Sequence, residues 1–545
     1  MGSSADEPPV EELPATAAEV SSDFQPGFRF YAAFCSLCIV ILAAALDATS
    51  LSTALPIISK DLNGSAIQAF WAGTSFLLTS TVFQLTFGSL SQTFGRKQLV
   101  LLSLVLFTAG SIVAAVAENF TTLLVGRSIQ GSGGGGIIAL TEIIITDLVP
   151  LRERGTWFGY QSAVWAIGSV TGPVIGGAFA ERASWTWIYW INLPICCIGF
   201  VAVIAFLNLN KVPGSLLPKI AKFDWTGSIL LTASATSFVM AISWGNIMFP
   251  WSSWRTIVPL VLGIIGLFGF VLYEAKVPAD PIIRLSIFKQ RTALVSYLGT
   301  FIHGILLWCL LYYLPLYYEC VLGYSPIVSG VAAFPETFTV APASIIVGIL
   351  VSKWGRFRWA IWAGWFFSCL GMGLLYLLGP HTTIPQWLFL NLVPGLGLGM
   401  LYSSLAYGTQ AAAEEKDVAY AASMYTFSRS FGQSIGVAVG GAIFQNQFAI
   451  KLRAYPALAP QAASLAKEAS ALVQIVKAMD KASPERAMIV EAYADSLKVV
   501  WAVMAGLGFI GLVTSALTEA LDVNREQETE QRLQEKAHTP SSSSA

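Results

Sequence analysis

The sequence predicts an all-α polytopic membrane protein: fourteen transmembrane helices, arranged as two pseudo-symmetric six-helix bundles with two extra central helices. Three observations predict it. First, 55% of the 545 residues are hydrophobic and only 12% charged, with a mean hydropathy of +0.65. A soluble chain of this length carries about 25% charged residues, spread over several domains. Second, the apolar residues gather into runs matched to a bilayer core of about 30 Å, which takes roughly 20 residues of helix. Third, the chain repeats itself. Gly88 and Gly95 recur as Gly348 and Gly355, an offset of 348 − 88 = 260. Gly131, Gly133 and Gly135 recur as Gly395, Gly397 and Gly399, and Gly168, Gly172, Gly176 and Gly177 as Gly432, Gly436, Gly440 and Gly441, both at 264. Both copies start from the same side, so the repeat is parallel, with its axis along the membrane normal.

Taken in order, residues 1–28 hold six acids and no Lys or Arg, which excludes a secretory signal or mitochondrial presequence and reads as a disordered cytosolic tail. The first bundle, 29–207, has apolar windows near 30–52, 68–90, 98–117, 122–147, 157–180 and 186–207. A linker, 208–292, carries the two extra spans within 225–275. The second bundle, 293–519, has windows near 293–316, 327–351, 359–379, 386–408, 421–447 and 497–518, with a long extracellular loop at 448–496. Residues 520–545 form a second cytosolic tail. An even span count puts both ends on one side. With the ends in the cytosol, the short inner loops hold fifteen Lys and Arg, Arg96, Lys97 and Arg356 among them, and the short outer loops hold three, Lys60, Arg182 and Arg255. The positive-inside rule therefore orients the chain tails-in. The sequons at Asn63 and Asn119 then face outward as possible glycosylation sites.

Other classes are excluded on composition and motif. A net charge of −1 offers no footprint for nucleic acid. The seven cysteines sit mostly in apolar runs and make no disulfide framework. Gly131-x-Gly133-x-x-Gly136 fits a dinucleotide fingerprint, and Gly432-x-Ser434-x-Gly436 a nucleophile elbow, but both lie inside spans with no preceding strand. His303 has no second ligand at metal spacing. No phosphate-binding loop with its lysine occurs, so the drive expected is an ion gradient, with no cofactor and no metal.

Charges within spans are costly and therefore informative. Asp47 in span 1 and Arg127 in span 4 lie at similar depth, with Gln130 on the same face as Arg127. A carboxylate governed by a movable arginine would couple protons; a static pair would only tie two helices together. Glu336 and His303, deep in spans 10 and 9, have either a coupling or substrate role or a structural one, and Glu142 in span 4 has the same two readings. Trp308 and Tyr312, spaced i, i+4 in span 9, suit an apolar or aromatic substrate. Tyr313, Tyr317 and Tyr318 read as interfacial belt residues. At the cytosolic face Arg96 can meet Asp147, and in the second copy Arg356 can meet Glu414 or Glu415.

The motifs then carry a resemblance. Gly88-Ser-Leu-Ser-Gln92-Thr-Phe-Gly95-Arg96-Lys97 resembles motif A of the major facilitator superfamily, with Gln92 in place of its acid and Thr93 in place of the following Arg. Arg127 to Gly131 resembles motif B. Gly168, Gly172, Pro173, Gly176 and Gly177 resemble motif C, the antiporter motif, read either as a seal or hinge or as close packing. Leu46-Asp47-x-Thr49 with Ala54-Leu55-Pro56, and Trp187 to Pro194, are similar to the fourteen-span drug:proton antiporters, of which fungal toxin and secondary-metabolite efflux pumps are the nearest kind. The resemblance covers about residues 30–520. It implies proton-coupled export of small, mostly apolar organic compounds by alternating access, without enzymatic activity, by a monomeric unit in the cell membrane or a vacuolar or vesicular one. A proton-coupled nutrient importer and a transporter-like membrane sensor are the rival readings.

Overall fold

The structure, a computed structural model, describes residues 25–62, 66–210, 212–245, 248–278, 280–467, 469–524 and 533. Residues 1–24 and nearly all of the second expected tail lie outside the described residues, as does Asn63. Among the described residues, fourteen long helical segments occupy the expected places. They are α1 Phe28–Asp61, α2 Ala66–Phe94, α3 Arg96–Ala115, α4 Phe120–Leu148, α5 Arg154–Arg182 and α6 Asn192–Phe206, the last entered through a turn of helix at Trp187–Trp190. The linker supplies α7 Trp225–Trp244 and α8 Trp254–Lys276. The second bundle is α9 Arg291–Cys320, α10 Phe334–Trp354, α11 Arg358–Leu374, α12 Ile384–Ala411, α13 Val418–Arg453 and α14 Pro484–Ser515.

Among the described residues, eleven helices are long and apolar enough to cross a membrane by length and composition. The three segments that fall short are α2, α4 and α13, and the reason is physical. The three come together at the boundary between the bundles, α13 facing α2 and α4. They carry the polar side chains that this boundary needs, including Gln84, Glu142 and Arg429, each buried. By contrast α8 keeps Leu262, Ile265 and Phe268 exposed, as a lipid-facing surface requires.

The repeat seen in the glycines is a packing repeat. A Cβ at Gly131 would stand 2.1 Å from Thr79 of α2, and one at Gly133 would stand 2.4 Å from the Phe107 nitrogen of α3. The second copy does the same: Gly395 abuts the Glu336 carbonyl of α10 at 2.5 Å and Gly397 the Ser368 nitrogen of α11 at 2.3 Å. Small residues are what allow membrane helices to approach this closely. The motif C stripe on α5 packs likewise: Gly172 meets Thr49, and Gly176 the Ser50 carbonyl, both on α1. Thr49 also donates to the Gly168 carbonyl at 3.2 Å. Close packing against α1 is thus what the structure gives this stripe, with Pro173 inside α5.

Two expectations need correction. The segment 448–496 is mostly helix rather than loop: α13 runs on to Arg453, α14 begins at Pro484, and short helices at Ala462–Lys467 and Ala469–Ala478 lie between. Leu458, Leu472, Val473 and Val476 are buried, and Lys477 pairs with Glu319 at 3.0 Å. Interspersed charges hide this amphipathic stretch from a window tuned to continuous apolar runs. Tyr317 and Tyr318 are not belt residues either. Both are buried, Tyr317 donating to the Gly379 carbonyl at 2.9 Å and Tyr318 bonded to Asn391. Tyr313, partly buried, donates to the Val437 carbonyl at 2.9 Å.

Candidate functional site

The Asp47 network lies inside the first bundle. Asp47 on α1 is 1% exposed and accepts from Arg127, from Gln130 Nε2 at 2.8 Å and from Asn192 Nδ2 at 2.9 Å. Arg127 also donates to Gln130 Oε1 at 2.7 Å and to the Ala72 carbonyl at 3.0 Å. Its guanidinium lies 4.5 Å from the centre of the Phe76 ring, within cation–π range. Gln130 reaches on to Ser111 at 2.8 Å. Sequence reasoning found Asp47, Arg127 and Gln130 but gave no role to Asn192 or Ser111, because nothing local says that α3 and α6 converge on that carboxylate.

Phe76 links this network to the boundary between the bundles. There it lines a narrow cavity together with Ala48 and Trp165 of the first bundle and Trp308, Ser430 and Gln433 of the second. In this conformation the cavity has a free volume of only ≈ 20 Å³, room for about one water. Of the four residues expected to line it, Trp308 does so, and Tyr312 stacks on Trp308 with ring centroids 5.7 Å apart. The other two expectations are corrected. Gln130 belongs to the Asp47 network behind Phe76. His303 is fully buried in the second bundle with Nε2 3.1 Å from the Leu398 carbonyl oxygen. Glu336, 1% exposed, accepts from Thr337 at 2.9 Å on one oxygen. It is not among the residues lining this cavity, and its backbone packs against Gly395 of α12.

One turn from the cavity lies a pair that sequence reasoning only half found. Glu142 of α4 stands 3.5 Å from Arg429 of α13, across the boundary between the bundles. Arg429 lies between the rings of Tyr402 and Tyr425, 4.5 and 4.9 Å from their centres. The signal for Arg429 was present, a lone arginine in an apolar span.

The end of the molecule bearing the basic loops is closed. Arg96, 2% exposed, donates to Asp147 at 2.9 Å and to Ser91 at 2.5 Å. With Gln92 in place of the motif's acid, Ser91 is the motif residue that serves Arg96. Gly95 caps α3 at φ +100° and Gly355 ends α10 at φ +67°, both left-handed positions that favour glycine. Lys97 donates to the Ile204 carbonyl at 2.8 Å and to Asn208 at 3.0 Å, holding the end of α6. Gly88 faces Ser423, and Gly348 faces Gly155 and Thr156, so each copy's glycine admits a helix of the other bundle. Arg152 binds the Ser352 carbonyl, Arg154 donates to Gln410 at 2.9 Å, and Tyr407 donates to the Arg152 carbonyl at 2.8 Å. The second expected latch is absent. Arg356 is exposed and Glu414 pairs with Lys416 at 2.8 Å. The buried carboxylate here is Asp417, bound by Ser286 and by Arg284 at 2.9 Å. The turn Glu415–Asp417 matches Leu151–Glu153 of the first copy at the offset of 264, so Asp417 stands where the first copy has Glu153, and the linker, which has no counterpart in the repeat, supplies the arginine. Asn119 caps α4, accepting from the Thr122 nitrogen at 2.8 Å.

Two six-helix bundles meeting around an inter-bundle cavity, with buried charges beside it, define a multi-pass membrane transporter rather than an enzyme. The chain belongs to the Major Facilitator Superfamily, which it matches over residues 37–437. It is 52% identical to MFS transporter L2 of Phoma sp., covering 96% of this chain and 88% of the relative. It is 37% identical to the MFS-type efflux pump LUC4 of Fusarium sp., covering 98% and 94%, and 36% identical to the efflux pump FUS6 of Gibberella fujikuroi, covering 96% of each. A crystal structure of the human organic anion transporter MFSD10 superposes with a TM-score of 0.57 at 14% identity, covering 90% of this chain and 100% of that one, a likeness of fold.

Proposed function

We propose that this protein exports small, mostly apolar organic compounds, of the toxin or secondary-metabolite kind, in exchange for protons by alternating access. The observation that carries the reading is the buried Asp47–Arg127 pair set directly behind an aromatic cavity wall. A buried ion pair is costly to maintain and contributes little net stability, so its retention beside the transport path favours a functional role. Asp47 is the proton-carrying carboxylate, Arg127 its movable counter-charge, and Glu336 a further carboxylate in the opposite bundle. Phe76, Trp165 and Trp308 offer stacking faces to an apolar substrate. The relatives named as efflux pumps support the outward direction. The working unit is a single chain in the cell membrane, both termini cytosolic, requiring only the proton gradient. An efflux and toxicity panel in a pump-deficient host tests this. Export that collapses with a protonophore is expected; export unaffected by it removes the proton from the mechanism.

A further inference from the structure

Glu142, Gln161 and Arg429 form the floor of the cavity. Each lies one helical turn from a cavity-lining residue of its own helix: Glu142 follows Ile138 by four, Gln161 precedes Trp165 by four, and Arg429 precedes Gln433 by four. Helices α5 and α13 run away from the basic end and α4 runs towards it, so all three displacements point to the closed basic end. The Glu142–Arg429 pair therefore spans the boundary between the bundles between cavity and exit. Opening the cavity towards the basic end must break it.

This pair differs from the saturated one around Asp47. Asp47 accepts three side-chain hydrogen bonds. Glu142 is fully buried, yet neither of its carboxylate oxygens has a hydrogen-bond partner, and the Gln161 Oε1 nearby has none either. A buried ionised carboxylate without well-aligned hydrogen bonds is expensive, and Arg429, with the Gln161 amide beside it, offsets that cost. A neutral carboxyl group would stay in place without the arginine, and with its own proton could donate to Gln161 Oε1. The charged and titratable groups facing Glu142 are Arg429 and Tyr425 from α13 and Tyr402 from α12. His303 of α9 in turn faces Arg429. Helix α5 contributes neutral Gln161 and α2 neutral Gln84, which donates to Ser430 at 2.8 Å.

We propose that Glu142 is a second proton-binding carboxylate, and that taking up a proton releases it from Arg429 and unlocks the basic end beneath the cavity. The proton arrives from water while the cavity faces the opposite side. It leaves to the basic side once that end has opened, and the re-formed ion pair closes the floor. The proposal rests on the proton-exchange reading above.

The test needs no substrate. Spin labels go on exposed Gln98 and Glu415, one in each half at the basic end, in a cysteine-free background in lipid nanodiscs. Their separation is measured at mildly alkaline and mildly acidic pH. A shift to longer distances in acid is expected for the parent protein. Glu142→Gln should give the long, acid-type distribution at both pH values. No shift in the parent, or a Glu142→Gln protein that keeps the alkaline distribution and still responds to acid, overturns the proposal. If Glu142→Gln does not purify as a monodisperse species, Glu142→Asp and Arg429→Lys decide: a displaced pH midpoint supports it and an unchanged midpoint overturns it. Protonophore-insensitive export alongside an intact distance shift would instead overturn the antiport reading while leaving the switch standing.

Discussion

Arg127 and Asn391 hold the same place in the two halves. At the repeat offset of 264, each reaches from the fourth helix of its bundle to a carbonyl at the start of the second, Ala72 in the first turns of α2 at 3.0 Å and Ala332, two residues before α10, at 3.4 Å, themselves 260 apart. The second half makes this crossing with a neutral amide, and Leu306 stands where the offset of 259 carries Asp47. A charge is thus not needed to hold the crossing together, and the first half keeps one nonetheless.

Asp47→Asn should abolish gradient-driven efflux while leaving expression and substrate binding largely intact, and Asp47→Glu should retain part of the activity. Efflux measured against an imposed pH gradient checks this. An Asn variant with full pH-dependent transport would remove Asp47 from the coupling.

Arg127→Ala leaves Asp47 buried without its counter-charge, a change that costs about 3–5 kcal/mol for a buried pair. It should be inactive and melt at lower temperature. Arg127→Lys keeps the charge but not the fork that reaches Asp47, Gln130 and Ala72 together, and should transport weakly. Normal efflux by the Ala variant refutes a coupling role.

Asp147→Asn removes the carboxylate charge that pairs with buried Arg96 at 2.9 Å. Labelling from the basic side of cysteines introduced into the cavity lining should increase, and the reciprocal exchange Arg96→Asp with Asp147→Arg should partly restore the closed state. Equal labelling in parent, single and double variants would leave these charges with a topological role alone.

Gly88 and Gly348 predict unequal costs. A methyl at Gly348 would stand 2.2 Å from the Thr156 backbone nitrogen, whereas at Gly88 the nearest atom is the Ser423 hydroxyl oxygen at 2.4 Å. Gly348→Ala must push two helices apart and should weaken closure of the basic end strongly. Gly88→Ala should be milder, and Ser423→Ala should relieve most of it. The same cysteine labelling reads both; no rescue by Ser423→Ala would contradict the contact.

The sequence alone determined the class of the fold. Hydropathy is a local property, so the positions of the helices follow from runs such as 98–117 and 256–275, and the glycine offsets of 260 and 264 establish two copies. It also singled out Asp47, Arg127, Arg96 and Asp147, since a charge in or at the end of an apolar run is conspicuous wherever the chain goes. Only the tertiary structure decided the partners. That Asn192 and Ser111 complete the Asp47 network, that Arg284 from the linker takes Asp417 and leaves Arg356 exposed, and that Arg429 crosses to Glu142 depends on helices far apart in sequence being brought together. Burial of His303 and Gln130 behind the cavity wall, and of Tyr317 and Tyr318 in the second bundle, depends on which face each helix turns inward. In a membrane helix apolar residues lie on every side, facing lipid or protein alike, so the sequence carries no hydrophobic stripe to mark that face.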